Sequence, residues 1–114
     1  MRKMYKRLFC KSGFNMSVQA SDTSYSNPRD NQGPYTEVEV GFPSAVEPMI
    51  IGYAEAPDDP TGTVYGWVPV GILKALIVKH GGVESGETPP FDMNVTQSAI
   101  LAEALLEVTN DSKN

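Results

Sequence analysis

Nucleophilic catalysis needs a serine, threonine or cysteine beside a general base, most often histidine. This chain has one cysteine, Cys10, and one histidine, His80, far apart along 114 residues. Their separation gives no local motif. The sequence therefore predicts a bystander thiol and a histidine that caps or packs a helix end. Single copies of both also exclude a disulfide framework, a cysteine-based zinc site and a histidine-cluster metal site. Gly62, Gly66 and Gly71 do not precede a basic residue at the spacing of a phosphate-binding loop. No cofactor or metal is expected.

Carboxylates are plentiful and often paired: Glu37/Glu39, Asp58/Asp59 and Glu84/Glu87. Residues two apart on a strand share a face, so Glu37 and Glu39 are placed either to flank a ligand or to be solvated. Glu55, Asp58 and Asp59 surround a turn but lack the fixed ligand spacing of a calcium loop, and turn-forming aspartate explains them equally well. Tyrosine and tryptophan near turns are the other informative group, because they bury much area in a partner at little entropic cost. Tyr65 and Trp67 sit two apart on a predicted strand and are assigned to the core. Tyr25 lies in a long polar loop. The residues expected to bind a partner are Tyr25, Asp30, Glu37, Glu39, Asp58 and Asp59, with none catalytic.

The elements that must position them follow from hydrophobic periodicity. Phe14, Met16 and Val18 alternate with polar residues, the period-2 pattern of a half-buried strand. Residues 21–34 (SDTSYSNPRDNQGP) are turn chemistry throughout, a connection long enough to be functional or mobile. A second strand spans Tyr35 to Phe42, with Val38, Val40 and Phe42 on one side. The run Met49–Ala54 reads as a third strand, joined through the turn Asp59-Pro60-Thr61-Gly62 to a fourth at Val64–Val68. Pro69 suits the first position of a helix carrying Val70, Leu73, Leu76, Ile77 and His80 on its apolar face, closed by Gly81-Gly82. A linker over 84–93 leads to a second helix from about Val95 to Val108, capped by Asn94 with Gln97 three residues on, and then to a polar tail at 109–114. Strands followed by helices predict an α+β domain: three or four antiparallel strands with both helices packed on one face.

Charge is unevenly distributed. Arg2, Lys3, Lys6, Arg7 and Lys11 precede any acid, whereas only Arg29, Lys74, Lys79 and Lys113 offset the 14 acidic residues that follow. The strongly acidic body should repel nucleic acid and anionic membranes and attract basic protein surfaces. The leucine, phenylalanine and cysteine after the basic residues are too short a run for a secretory signal, and no stretch approaches the roughly 20 apolar residues of a membrane span. Met16 opens the first well-patterned stretch. Residues 1–15 are thus expected to be a basic extension, non-native or mobile or lying against the acidic body, ahead of a single domain over 16–114.

The run GPYTEVEVGFPS (33–44), followed by DDPTGTVYGWVPVGILKALIVKHGG (58–82), resembles small proteins encoded by bacteriophages and prophages, over about residues 16–83. The resemblance carries no residue roles. It implies a phage accessory protein, a class in which small acidic proteins commonly block a host enzyme or defence complex. The expectation is a non-enzymatic protein in the cytoplasm of a bacterial host that binds and inhibits or modulates a basic-surfaced host protein, one that handles nucleic acid or belongs to a defence complex. Two alternatives make different structural demands. A self-assembling subunit needs a long uncovered sheet edge, and a carboxylate- or metal-dependent enzyme needs acids converging in a cleft.

Overall fold

Alternating apolar residues put one face of the longer strands into the core, and the structure, a computed structural model, describes residues 3–112 of that arrangement. Strands β1 (Leu8–Cys10), β2 (Asn15–Gln19), β3 (Glu37–Gly41), β4 (Val64–Pro69) and β5 (Val83–Ser85) form one antiparallel sheet in the order β4-β3-β2-β1-β5. Helices α1 (Val70–Lys79) and α2 (Val95–Ser112) complete the α+β fold. Leu8, Met16, Val18, Val38, Val40, Tyr65 and Val68 point to the inner face and meet Val70, Leu73 and Leu76 of α1.

The sheet has five strands, more than periodicity indicates. Residues 8–10, assigned by the sequence to a basic extension, form β1 between β2 and β5, with Leu8 and Cys10 buried. A strand of three residues shows only one alternation, too little to register as a pattern. β5 overlaps the start of the stretch read as linker, because β1 supplies the backbone partners that its sequence does not advertise. Basic side chains of this segment lie on the body: Lys3 pairs with Glu87 at 3.1 Å, and Arg7 donates to the Asn15 side chain at 2.8 Å and to the Phe42 carbonyl at 2.6 Å. Arg2 and Lys113 are outside the described residues.

The expected strand at 49–54 is instead a single 3₁₀ turn over Ile51–Tyr53. Ile50 N donates to Glu47 O, Tyr53 N to Ile50 O and Ala54 N to Ile51 O, so the backbone groups that a ladder would use close locally. Only an isolated bridge, Ala54 to Tyr65, remains of the hairpin. β3 also stops one residue early. Phe42 turns out to solvent at φ 49°, leaving Val38 and Val40 as the buried pair.

α1 is present, but Pro69, expected at its first position, is instead the last residue of β4 and the helix N-cap; His80 is the C-cap, and Gly81 and Gly82 both take positive φ. Asn94 caps α2, accepting from the Gln97 amide at 2.9 Å. The Gln97 side chain does not complete the reciprocal box. It is buried, and its Oε1 accepts from the Gly71 amide at 3.0 Å. Gly71 permits that approach, since a Cβ there would meet the Gln97 carbonyl oxygen and lie 3.0 Å from the Leu101 nitrogen. α2 accordingly rests chiefly on α1 rather than on the sheet. The layers run sheet, α1, α2, and the other sheet face carries no helix.

Candidate functional site: an aromatic and acidic sheet face

The helix-free face is organised by a bulge. Val38 pairs with Val68 and Val40 with Tyr65, so Glu39 of β3 faces both Gly66 and Trp67 of β4. Two residues against one shifts the alternation, so Tyr65 and Trp67 no longer share a face. Tyr65 is fully buried and donates its hydroxyl to Pro60 O at 2.6 Å, whereas Trp67 is 45% exposed. The core assignment of Trp67 is thereby corrected. Trp67 adopts φ 52°, a conformation rare for a bulky side chain and one that its surroundings must enforce.

Those surroundings are the 21–34 loop. Freed from the ladder, the Trp67 amide donates to Tyr25 O at 3.0 Å. The Tyr25 amide donates to Glu39 Oε1 at 3.1 Å. Tyr25 is thus held at both backbone groups, and its ring stacks on Trp67 with centroids 4.9 Å apart and planes 26° from parallel. The Arg29 guanidinium lies 6.0 Å above the Tyr25 ring, at the outer range of a cation–π contact. Gly66 leaves room beneath, where a Cβ would come within 3.3 Å of Tyr25 Cβ. Inside the loop, a buried cluster of hydroxyls around Ser21, Ser24 and Ser26 satisfies its backbone. The loop is a built feature.

The six residues expected to bind a partner are only partly brought together. Tyr25, Glu37 and Glu39 belong to this face, with Glu39 spent on positioning Tyr25. Asp30 is exposed, and its carboxylate accepts the Gly33 and Gln32 amides at 2.8 and 3.0 Å, which hold its pKa below the ordinary value. It shapes the loop tip. Asp58 and Asp59 occupy the turn before Val64, whereas Glu37 is in register with Pro69 at the opposite end of β4. A six-residue strand, roughly 20 Å, separates the two groups. Trp67 and Phe9 were missed, Trp67 because of the bulge and Phe9 because β1 was not recognised. Phe9 alternates with Leu8 and Cys10, which places it outward at 41% exposure.

A second constellation joins residues distant in sequence. Glu47, only 1% exposed, accepts Lys79 Nζ at 2.8 Å, His80 Nε2 at 2.9 Å and the Met49 amide at 2.9 Å. Burial pushes the Glu47 carboxyl up, but the bonds from Lys79, Met49 and His80 outweigh it and hold the group below its ordinary pKa. His80 Nδ1 lies 3.2 Å from Ser12 Oγ, and its ring stacks on Phe14 at 4.3 Å. A serine, histidine and glutamate in line resemble a hydrolytic triad in outline. Within the turn, the Ser12 amide donates to His80 O, Gly13 to Cys10 O and Phe14 to Ser12 Oγ, so these three amides are engaged inside the fold. As built, the cluster ties the β1–β2 turn, the segment after β3 and the end of α1 together. The sequence shows His80 at its helix end but not the buried acid that it serves.

Cys10 is buried, which pushes its thiol pKa up and lowers its reactivity. Among the described residues, no group of three or more histidine, cysteine or acidic side chains is placed to hold a metal ion, and no helix is long and apolar enough to cross a membrane. No family model, curated protein or solved structure matches this chain.

Proposed function

We propose that this protein is a non-enzymatic binding module that grips a basic protein surface with the helix-free face of its sheet and so inhibits or modulates that partner. The observation that carries this reading is the Tyr25–Trp67 stack, in which an exposed tryptophan packs on a half-buried tyrosine clamped through both of its backbone groups. Rigid, half-exposed tyrosine and tryptophan are the residue types that dominate binding energy at protein interfaces, and pre-ordering them lowers the entropy lost on association. Glu37 beside them and the acidic body supply long-range attraction for basic groups. The same charge disfavours nucleic acid and anionic lipid as partners. The phage resemblance suggests a bacterial host protein as the target, met in the cytoplasm.

Self-assembly through a sheet edge is less well supported. Of the two sheet edges, β5 is only three residues long, and the six-residue β4 is covered along its first part, where Tyr65 bridges to Ala54 and the Val64 carbonyl accepts the Glu55 amide at 3.0 Å, so neither offers a long free template for strand addition. The test is affinity capture from bacterial lysate with the full chain, since a fragment starting at Met16 would remove β1. A specific protein retained at low salt, released at high salt and lost with Trp67→Ala supports the proposal. The same protein retained by Trp67→Ala refutes it.

A further inference from the structure

Away from the sheet face, α1, β5 and the chain entering α2 line an open cleft of about 440 Å³. That volume lies within the usual range for small-molecule sites, roughly 300–1,000 Å³. Ile77, Val83, Phe91 and Met93 give it an apolar wall, with two prolines contributing ring surface without an N–H to satisfy. Its polar groups are the Lys74 ammonium and the Thr88 hydroxyl, and neither side chain has a hydrogen-bond or ion-pair partner among the described residues. Lys74 and Ile77 are three residues apart on α1, so charge and apolar surface sit side by side on one helix face.

The outer wall is fixed at both ends. At one, the Glu87 amide donates to Lys6 O at 3.2 Å while its carboxylate accepts Lys6 N at 2.9 Å and Lys3 Nζ at 3.1 Å. At the other, the Tyr35 amide donates to Pro90 O at 2.8 Å and the Asp92 amide to Tyr35 O at 2.7 Å. A cleft held open by such bonds is formed before any ligand arrives. Among the described residues, Lys74 is the only ionic one lining it, in a protein whose net charge is −5. An apolar body ending in one carboxylate matches that chemistry, with the tail along Phe91, Met93 and Val83 and the head between Lys74 and Thr88.

We propose that this cleft binds a small amphipathic monocarboxylate, such as a medium-chain fatty acid. The site is separate from the aromatic face and does not depend on the role assigned to it. The test follows methyl NMR signals of the full chain during titration with sodium octanoate, octanol and octyltrimethylammonium. Octanoate should shift Ile77, Val83 and Met93 saturably, octanol should bind more weakly, and the ammonium should leave those signals unmoved. Lys74→Gln, an exposed substitution that spares the core, should weaken octanoate by about tenfold or more, and Thr88→Val by a smaller factor. Equal binding of octanoate and octanol, an unchanged affinity in Lys74→Gln, or shifts confined to other residues would overturn the proposal. So would a response only to a short apolar peptide with a free C-terminal carboxylate, which would make the cleft a peptide site.

Discussion

The Trp67 amide donates to the Tyr25 carbonyl at 3.0 Å while the two rings stack 4.9 Å apart. One bulge produces both contacts. It releases the amide from the β3 ladder and turns the indole to the face that the helices leave open. A loop that composition alone would leave mobile is thereby attached to the most regular part of the molecule.

Stability and binding should separate at Trp67. A non-glycine residue at φ 52° carries a penalty of about 1–2 kcal/mol, and aromatic stacking returns about 0.5–1.5 kcal/mol. Trp67→Gly removes both, and with them the burial of an indole that is 45% exposed, roughly 1.5–3 kcal/mol, so chemical denaturation should place it about 1–3 kcal/mol below the parent and still folded. Its affinity for the partner should fall by about tenfold or more. A loss of binding no greater than the unfolded fraction accounts for would mean that Trp67 serves only the fold.

Glu39 acts through the Tyr25 amide, so the acceptor matters more than the charge. Glu39→Gln should retain slow hydrogen exchange at the Tyr25 amide, and Glu39→Ala should accelerate it markedly. Equal exchange in the two variants would mean that the loop is held by other contacts.

Acid should loosen the Glu47 cluster. Its folded pKa lies below the ordinary glutamate value, so its contribution is complete above about pH 4.3 and is lost as pH falls through the lowered folded value. Glu47→Gln should cost about 1–3 kcal/mol at pH 7, because Lys79 and His80 lose a charged acceptor. Thermal melts from pH 7 to pH 3 should then show a shallower decline for the variant than for the parent. Some decline will persist, since hydrogen bonds also hold Asp30 and Glu87 below their ordinary values. Identical slopes would remove Glu47 from the acid response.

At Gly71, helix propensity and packing pull in opposite directions. Alanine should gain up to about 1 kcal/mol from propensity, but a Cβ would press on the backbone of Gln97 and Leu101, which cannot swing aside as a side chain can. Overpacking of that kind costs about 1–3 kcal/mol, so Gly71→Ala should be destabilising on balance. Denaturant titration gives the sign directly, and a more stable variant would contradict the α1–α2 packing described above.

What periodicity could reveal depended on element length and regularity. α1, β2, β3 and β4 each show enough of their repeat to be legible, and the Asn94 cap is a local signal that the structure repeats. β1 and β5 are too short for a repeat and exist through pairing with each other and with β2. The 49–54 run has strand composition but closes on itself through Glu47 and Ile50. At the site, Tyr25 was legible as an aromatic stranded in a polar loop. Trp67 was not, because a bulge reverses strand alternation without leaving a mark in composition. The Glu47, His80 and Ser12 cluster joins three distant segments, which no spacing rule can anticipate.

The most direct measurement is hydrogen–deuterium exchange of the full chain with and without its captured partner. The proposed binding face predicts new protection at residues 24–29, 37–39 and 66–68, with α2 and the 56–62 turn unchanged. Protection confined to that turn or to α2, with the Tyr25–Trp67 face unaltered, would contradict it.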